Sequence, residues 1–342
     1  MTASATGRSG GASGTGGSGA GPLAIAIALG IVYVVWGSTY LGIKIMVEEM
    51  PPLQSAGARY LTGGLLLGGL LAALSGPRRL AVGRAELAGC ALMGLLLPAL
   101  GNGLVTVGES MGAPSGITAL VIAGVPLWVV LYRVAARDNP GALTLFGVLV
   151  GLGGLAGLVG LTGFAGDLPV DALLLIVFAT LCWSFGSWFQ PRLRLPRDPF
   201  VVAVYEMAIG GALMLGAGAL RGESWDWAGI SAGSWVAWGY LVVFGSVVAF
   251  SAYVWVLQAA PISLVATYAY VNPVVAVFLG WLVLSEPVTT VVVVSGAIVL
   301  AAVAIVVGSE RRTPPPQSDR RVRVETQRLR VSGWWRATAR RP

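Results

Sequence analysis

Histidine is absent from the 342-residue chain, and cysteine, lysine and charge are all scarce. Without histidine, the commonest proton shuttle and the commonest metal ligand are both missing. The two cysteines, Cys90 and Cys182, lie in apolar stretches, which argues against a disulfide framework. Lys44 is the one lysine, so no phosphate-binding G-x-x-x-x-G-K-[ST] loop exists and ATP-driven chemistry is disfavoured. Only 11% of residues are charged against about 25% in a soluble domain, so this surface cannot face water on all sides.

What the chain has instead is apolar length. Hydrophobic residues make up 56% of it, in continuous blocks each near the ~20 residues a helix needs to cross hydrocarbon. Continuous rather than alternating blocks exclude a transmembrane β-barrel. The expected class is all-α, a polytopic membrane protein of ten transmembrane helices. Ten spans fit: about 23–46, 53–74, 85–108, 113–133, 141–162, 170–190, 199–220, 231–256, 261–283 and 288–308. Residues 1–21 form a Gly/Ser/Thr/Ala tract, expected as a disordered cytoplasmic tail; Arg8 alone is too little charge for a signal peptide. Residues 309–342 form a basic tail that either anchors the topology or lies on anionic headgroups.

Arginine placement orients the spans. With the N-terminus inside, nineteen arginines fall in inside loops and tails and only Arg221 falls outside. Both termini are therefore expected in the cytoplasm. The net charge of +7 sits where topology alone would put it, so nucleic-acid binding is not expected.

Displaced by 147 residues, the chain matches itself. Trp36 falls on Trp183, Pro52 on Pro199, Ala56 on Ala203, Gly63-Gly64 on Gly210-Gly211, Ala113-Pro114 on Ala260-Pro261 and Pro126 on Pro273. Composition bias does not align two tryptophans and six prolines in one register, so this is a duplication. Each copy holds five spans, 23–162 and 170–308, and an odd number inverts the second copy. Inverted repeats around a midplane site are a recurring design of secondary transporters.

Depth along the spans selects candidate substrate-binding residues. Trp36, with Ser38 and Thr39, falls near the middle of the first span and Trp183, with Ser187, near the middle of the sixth. Asn102 and Thr106 lie on a polar stripe of the third span, and Tyr268, Tyr270 and Asn272 in A-T-Y-A-Y-V-N-P of the ninth. Tyr268 and Asn272 are i, i+4 and share a helix face. Pro126 and Pro273 lie at similar depth, where a missing N–H leaves a backbone carbonyl unpaired. The bland alternative for each hydroxyl or small residue is helix–helix glue. The Gly-rich fifth span is assigned wholly to packing.

An ionisable residue inside a span is a functional hypothesis by default. Arg59 and Glu206 occupy equivalent repeat positions with opposite sign, separated by too much depth to pair. Glu109 and Glu206 are the candidates for proton coupling, with Arg59, Pro126 and Pro273 for coupling or gating. Glu109 is near enough to the outer end of its span to reach headgroups, and Lys44 near enough to snorkel.

W-G-S-T-Y-L-G-I-K followed by P-P-L-Q-S-A-G-A-R-Y resembles the opening of an EamA domain of the drug/metabolite transporter superfamily. G-N-G-L-V-T, A-P-S-G-I-T-A-L and V-P-L-W continue the first copy, and T-Y-A-Y-V-N-P-V-V-A-V-F-L-G-W-L-V-L-S-E-P-V-T is similar to the second. The resemblance covers about residues 23–308 and implies a two-repeat carrier of the bacterial inner membrane, exporting small metabolites such as amino acids, or drugs. The loop Arg137-Asp138-Asn139-Pro140 departs from the Gly-Glu frequent there in the family, while Glu286-Pro287 keeps the acidic position.

The expected partners are a small-molecule substrate, the lipid bilayer and a proton as candidate coupling ion. No cofactor, metal or catalytic residue is expected. A lipid-acting membrane enzyme would need clustered ligands or a nucleophile–base pair, and a sensor or scaffold would need a folded extramembrane domain. Substrate identity stays open: a basic or neutral amino acid and a lipophilic cation all suit walls of Trp, Tyr and Asn.

Overall fold

Apolar runs of this length satisfy their backbone polar groups in hydrocarbon only by coiling into helices. The computed structural model describes residues 21–137, 140–164 and 169–312, and no strand occurs among them. In chain order the helices are α1 (Pro22–Val47), α2 (Pro52–Ser75), α3 (Arg84–Ser110), α4 (Ser115–Ala135), α5 (Ala142–Phe164), α6 (Val170–Phe189), α7 (Pro199–Leu220), α8 (Ala232–Ala259), α9 (Tyr268–Leu284) and α10 (Thr290–Arg312). A single turn, Ile262–Val265, precedes α9. Seven of these helices are long and apolar enough to cross a membrane. In α5, α9 and α10 the apolar stretches are shorter, Ala142–Leu158, Val271–Leu284 and Thr290–Val306. Residues 1–20 and 313–342 of the expected tails, and Asp138 and Asn139 of the divergent loop, lie outside the described residues.

The punctuation is local chemistry. Proline opens α1, α2 and α7 near N1, where its missing N–H costs nothing. Gly76 (φ 84°) follows α2 and Gly222 (φ 73°) follows α7, each in the left-handed region a glycine reaches without strain. The carboxylate of Glu286 caps α4, accepting from Ser115 N (2.8 Å), Ser115 Oγ (3.0 Å) and Gly116 N (3.1 Å).

Small residues set the central crossing. A Cβ on Gly57 of α2 would fall 2.7 Å from Leu215 N and 2.8 Å from Gly211 O of α7. One on Gly211 would fall 2.6 Å from Leu61 N, and one on Gly64 would fall 3.1 Å from both Ala208 N and Val204 O. Contacts climb α2 as they descend α7, so the pair is antiparallel. A shift of 147 carries Gly57, Leu61 and Gly64 onto Val204, Ala208 and Gly211, so Gly57·Gly211 becomes Val204·Gly64 and Leu61·Gly211 becomes Ala208·Gly64. Both contacts have their mates, as in a two-fold interface between equivalent surfaces.

The fifth-span glycines bring α5 against α10. A Cβ on Gly147 would meet Val306 Cγ2 at 2.9 Å, and one on Gly154 would meet Ile298 Cγ2 at 2.7 Å. Close backbone approach of this kind substitutes for the hydrophobic drive that lipid removes.

Three helices are interrupted by π-helical turns: Val32–Trp36 in α1, Leu95–Gly103 in α3 and Leu241–Phe250 in α8. The last two hold repeat-equivalent residues, Pro98 and Gly245. The extra residue of a π turn absorbs the proline and frees carbonyls for other partners. Helix α4 bends at Ala123–Gly124, and its second half begins at Val125–Pro126. Pro126 thus occupies an early helical position where no N–H is needed, and does not unpair a mid-helix carbonyl as expected. Pro273 does lie inside α9.

Candidate functional site

The interrupted segments of α1 and α3 contribute to the wall of one cavity. It measures about 40 Å³ and is lined by Trp36, Thr39 and Tyr40 of α1, Arg59 of α2, and Gly101, Asn102 and Val105 of α3. Ile122 and Val125 of α4, Ala179, Thr180 and Trp183 of α6, and Tyr268 of α9 complete it. A void of this volume holds one or two waters' worth of ligand atoms, so a larger solute needs the walls to move.

Aromatic rings form its centre. Trp36 and Trp183 meet edge to face, with centroids 5.4 Å apart at 75°. Tyr253 of α8 lies against both, at 4.7 Å from Trp36 and 5.4 Å from Trp183, and Tyr268 closes the cluster 5.8 Å from Trp36. The indole N–H groups are held: Trp183 Nε1 donates to Tyr253 Oη (3.1 Å), and Trp36 Nε1 to Gly245 O (3.4 Å) in the α8 π turn. The ring faces are thereby fixed and left to the cavity.

Arg59 supplies the charge. It is 2% exposed, yet its hydrogen bonds go to neutral groups, Nε to Ser246 Oγ (3.2 Å) and Nη2 to Asn102 Oδ1 (3.1 Å). Its guanidinium carbon lies 4.4 Å from the Tyr60 ring centroid, and Nη1 has no partner.

Of the residues expected to bind substrate, Trp36, Thr39, Asn102, Trp183 and Tyr268 line the cavity. Ser38, Thr106, Ser187 and Asn272 are absent from its lining and bond to neighbouring groups. Ser38 Oγ donates to Val35 O (2.7 Å) and meets Tyr240 Oη (2.5 Å). Thr106 Oγ1 donates to Asn102 O (3.0 Å), and Ser187 Oγ to Trp183 O (2.8 Å) while also meeting Tyr253 Oη. Asn272 is 2% exposed, and its amide nitrogen, oriented to satisfy its neighbours, donates to Tyr268 O (3.2 Å) and Tyr33 O (3.0 Å). With the Tyr33 Oη–Thr267 Oγ1 hydrogen bond, Asn272 ties the α1 π turn to the start of α9. The side chain of Tyr270 lies outside the described residues.

The acidic candidates are separated from this cluster. Glu109 does not reach headgroups: it is 0% exposed, and neither carboxylate oxygen has a hydrogen-bond partner. The ammonium of Lys44, a half-buried residue, donates to Glu109 O at 3.0 Å and joins α1 to the end of α3. Glu206 is likewise buried with both oxygens unpartnered, and no hydrogen bond links it to Arg59 among the described residues.

Sequence reasoning missed Tyr40, Gly101, Thr180, Ser246 and Tyr253. Tyr253 carried a weak signal, since it stands at the repeat position of Thr106 and neither matches it nor suits glue. Gly101 carried none; a Cβ there would fall 2.6 Å from Trp183 Cε3, so the glycine is what lets the indole into the cavity.

The sequence profile of the EamA-like transporter family matches residues 23–160 and again 171–308. The chain is 39% identical over 253 residues to YedA of Escherichia coli (strain K12), named as an uncharacterized inner membrane transporter, covering 74% of this chain and 80% of that protein. It is 23% identical to YoaV of Bacillus subtilis (strain 168), named as an uncharacterized transporter, over 78% of this chain and 91% of that one. A protein solved by crystallography, 19% identical, superposes with a TM-score of 0.62 over 83% of this chain and 96% of its own, which establishes likeness of fold.

Proposed function

Since the chain belongs to the EamA-like transporter family, we propose that it is a secondary carrier exporting a small metabolite, such as an amino acid or a drug, by alternating access. The single observation carrying this is the meeting of Trp36 and Trp183, equivalent residues of the two repeats, on the wall of one cavity. A site shared by two halves is closed on one side or the other as the halves rock.

In this reading all ten helices span the membrane, α5, α9 and α10 included, as two inverted repeats. The mated antiparallel crossing of α2 and α7 supports the inversion. The protein sits in a bacterial inner membrane, as the name of its Escherichia coli relative says of that protein, with both termini in the cytoplasm. Trp36, Thr39, Asn102, Trp183 and Tyr268 contact substrate, and Ser38, Thr106, Ser187 and Asn272 support them from behind. Arg59 takes part in binding, while Pro126, just past the bend in α4, and Pro273, inside α9, serve gating. Buried and unpaired, Glu109 and Glu206 are suited to exchanging a proton as the halves move.

The test is a flux screen in proteoliposomes over amino acids, nucleobases and cationic drugs, with and without a pH gradient. At least one class should move, faster with the gradient. Flux indifferent to the gradient removes the proton roles of Glu109 and Glu206, and no flux of any class removes the carrier reading.

A further inference from the structure

We propose that Arg59 is the anchor for a carboxylate on the substrate, so that the cavity selects organic acids or zwitterions over amines and cations. The inference rests on reading the cavity as the substrate site.

An arginine stays protonated under all conditions a protein meets, so burying one imposes a permanent positive charge. Such a charge is normally paired, because an uncompensated buried ion is costly. Arg59 is 2% exposed and lines the cavity, but its hydrogen-bond partners, Ser246 and Asn102, are neutral. The carboxylate of Glu109 is within electrostatic range, yet both its oxygens lack hydrogen-bond partners and it does not line the cavity. The one guanidinium nitrogen without a partner, Nη1, is on a side chain facing that cavity.

Guanidinium pairs with carboxylate or phosphate through a planar fork of N–H donors. A phosphate brings up to two charges, and Lys44, the nearby second cation, is engaged with Glu109 O and absent from the lining. One fixed positive charge matches one carboxylate. Asn102, held by Arg59 through its carbonyl oxygen, keeps its amide N–H₂ for a second bond to the ligand. The ring cluster of Trp36, Trp183 and Tyr268 then receives the apolar part.

The probes are 3-phenylpropanoate, 3-phenylpropanamide and 3-phenylpropylamine, which share a shape and differ in charge. Calorimetry on the purified full-length protein should show the carboxylate bound about tenfold or more tighter than the other two, the worth of one charge-assisted hydrogen bond. Arg59→Gln should bring that ratio to about one. Asn102→Asp keeps the guanidinium and hands it an internal carboxylate; it should also abolish the preference, and it decides the matter if Arg59→Gln does not fold. Tighter binding of the amine, a preference intact in either folded variant, or no carboxylate binding at about 10 mM overturns the proposal. Vesicle flux separates the two readings. Carboxylate-selective binding without flux of any compound sinks transport and leaves the anchor, whereas flux of amine and amide but not carboxylate sinks the anchor and leaves transport.

Discussion

Trp36 and Trp183 stand 147 residues apart at the same place in two repeats, and their rings meet edge to face 5.4 Å apart. The contact joins the two halves on the wall of the cavity. Their surroundings are not symmetric: α1 reaches Trp36 through a π turn, whereas α6 reaches Trp183 as regular α-helix.

Trp183→Phe keeps the ring and loses the hydrogen bond to Tyr253, so substrate affinity should fall roughly two- to tenfold. Trp36→Ala and Trp183→Ala remove the shared wall and should abolish counterflow, with detergent melting temperatures near wild type. A collapse of melting temperature in the Ala variants would make the pair packing and nothing more.

Gly57→Ala and Gly211→Ala should each destabilise the protein by about 1–3 kcal/mol, since a methyl group at either site runs into opposing backbone. Gly69→Ala in the same α2 faces open space and should be neutral or slightly stabilising. Thermal unfolding of the three purified variants gives the comparison. Equal melting temperatures would contradict the close α2–α7 crossing.

Asn272→Asp removes both amide donors from the Tyr33 and Tyr268 carbonyls. A loss of about 1–3 kcal/mol in stability is expected, with residual folded protein binding substrate at near-normal affinity. Melting curves and calorimetry on one preparation would check this. Normal stability with lost binding would return Asn272 to direct substrate contact.

Glu49, outside the spans, accepts hydrogen bonds from Ser234 Oγ (2.6 Å) and Ser231 N (2.8 Å), and these bonds hold its carboxyl below the ordinary value. A folded-state pKa below the unfolded one contributes stability that is present above the unfolded value and lost as pH falls through the folded one. The melting temperature of wild type should therefore decline from neutral pH into the acid range more steeply than that of Glu49→Gln. Ser234→Ala should shrink the same difference, and parallel curves for all three proteins would count against the bonds.

Much of this fold was legible because the constraints are one-dimensional. Continuous apolar blocks must become helices in lipid, and proline and glycine mark their ends. The duplication was legible because tryptophan and proline are rare enough to mark register. Even Gly147 and Gly154 of the fifth span were readable as a packing surface. The site was only partly legible. Tyr268 and Asn272 share a helix face, and the sequence offered no reason to separate them. In the fold, Tyr268 lines the cavity and Asn272 ties backbone to backbone.

By itself, then, the sequence determined the class, the repeat and the aromatic identity of the centre, because hydropathy and register are properties of single residues and their order. Only the tertiary structure decided which polar groups face the cavity. The Asn102–Thr106–Glu109 stripe, one polar face in the sequence, meets three different surroundings in the fold. Asn102 turns to Arg59 and the cavity, Thr106 bonds back to its own helix, and Glu109 is buried against α1, where Lys44 meets its carbonyl.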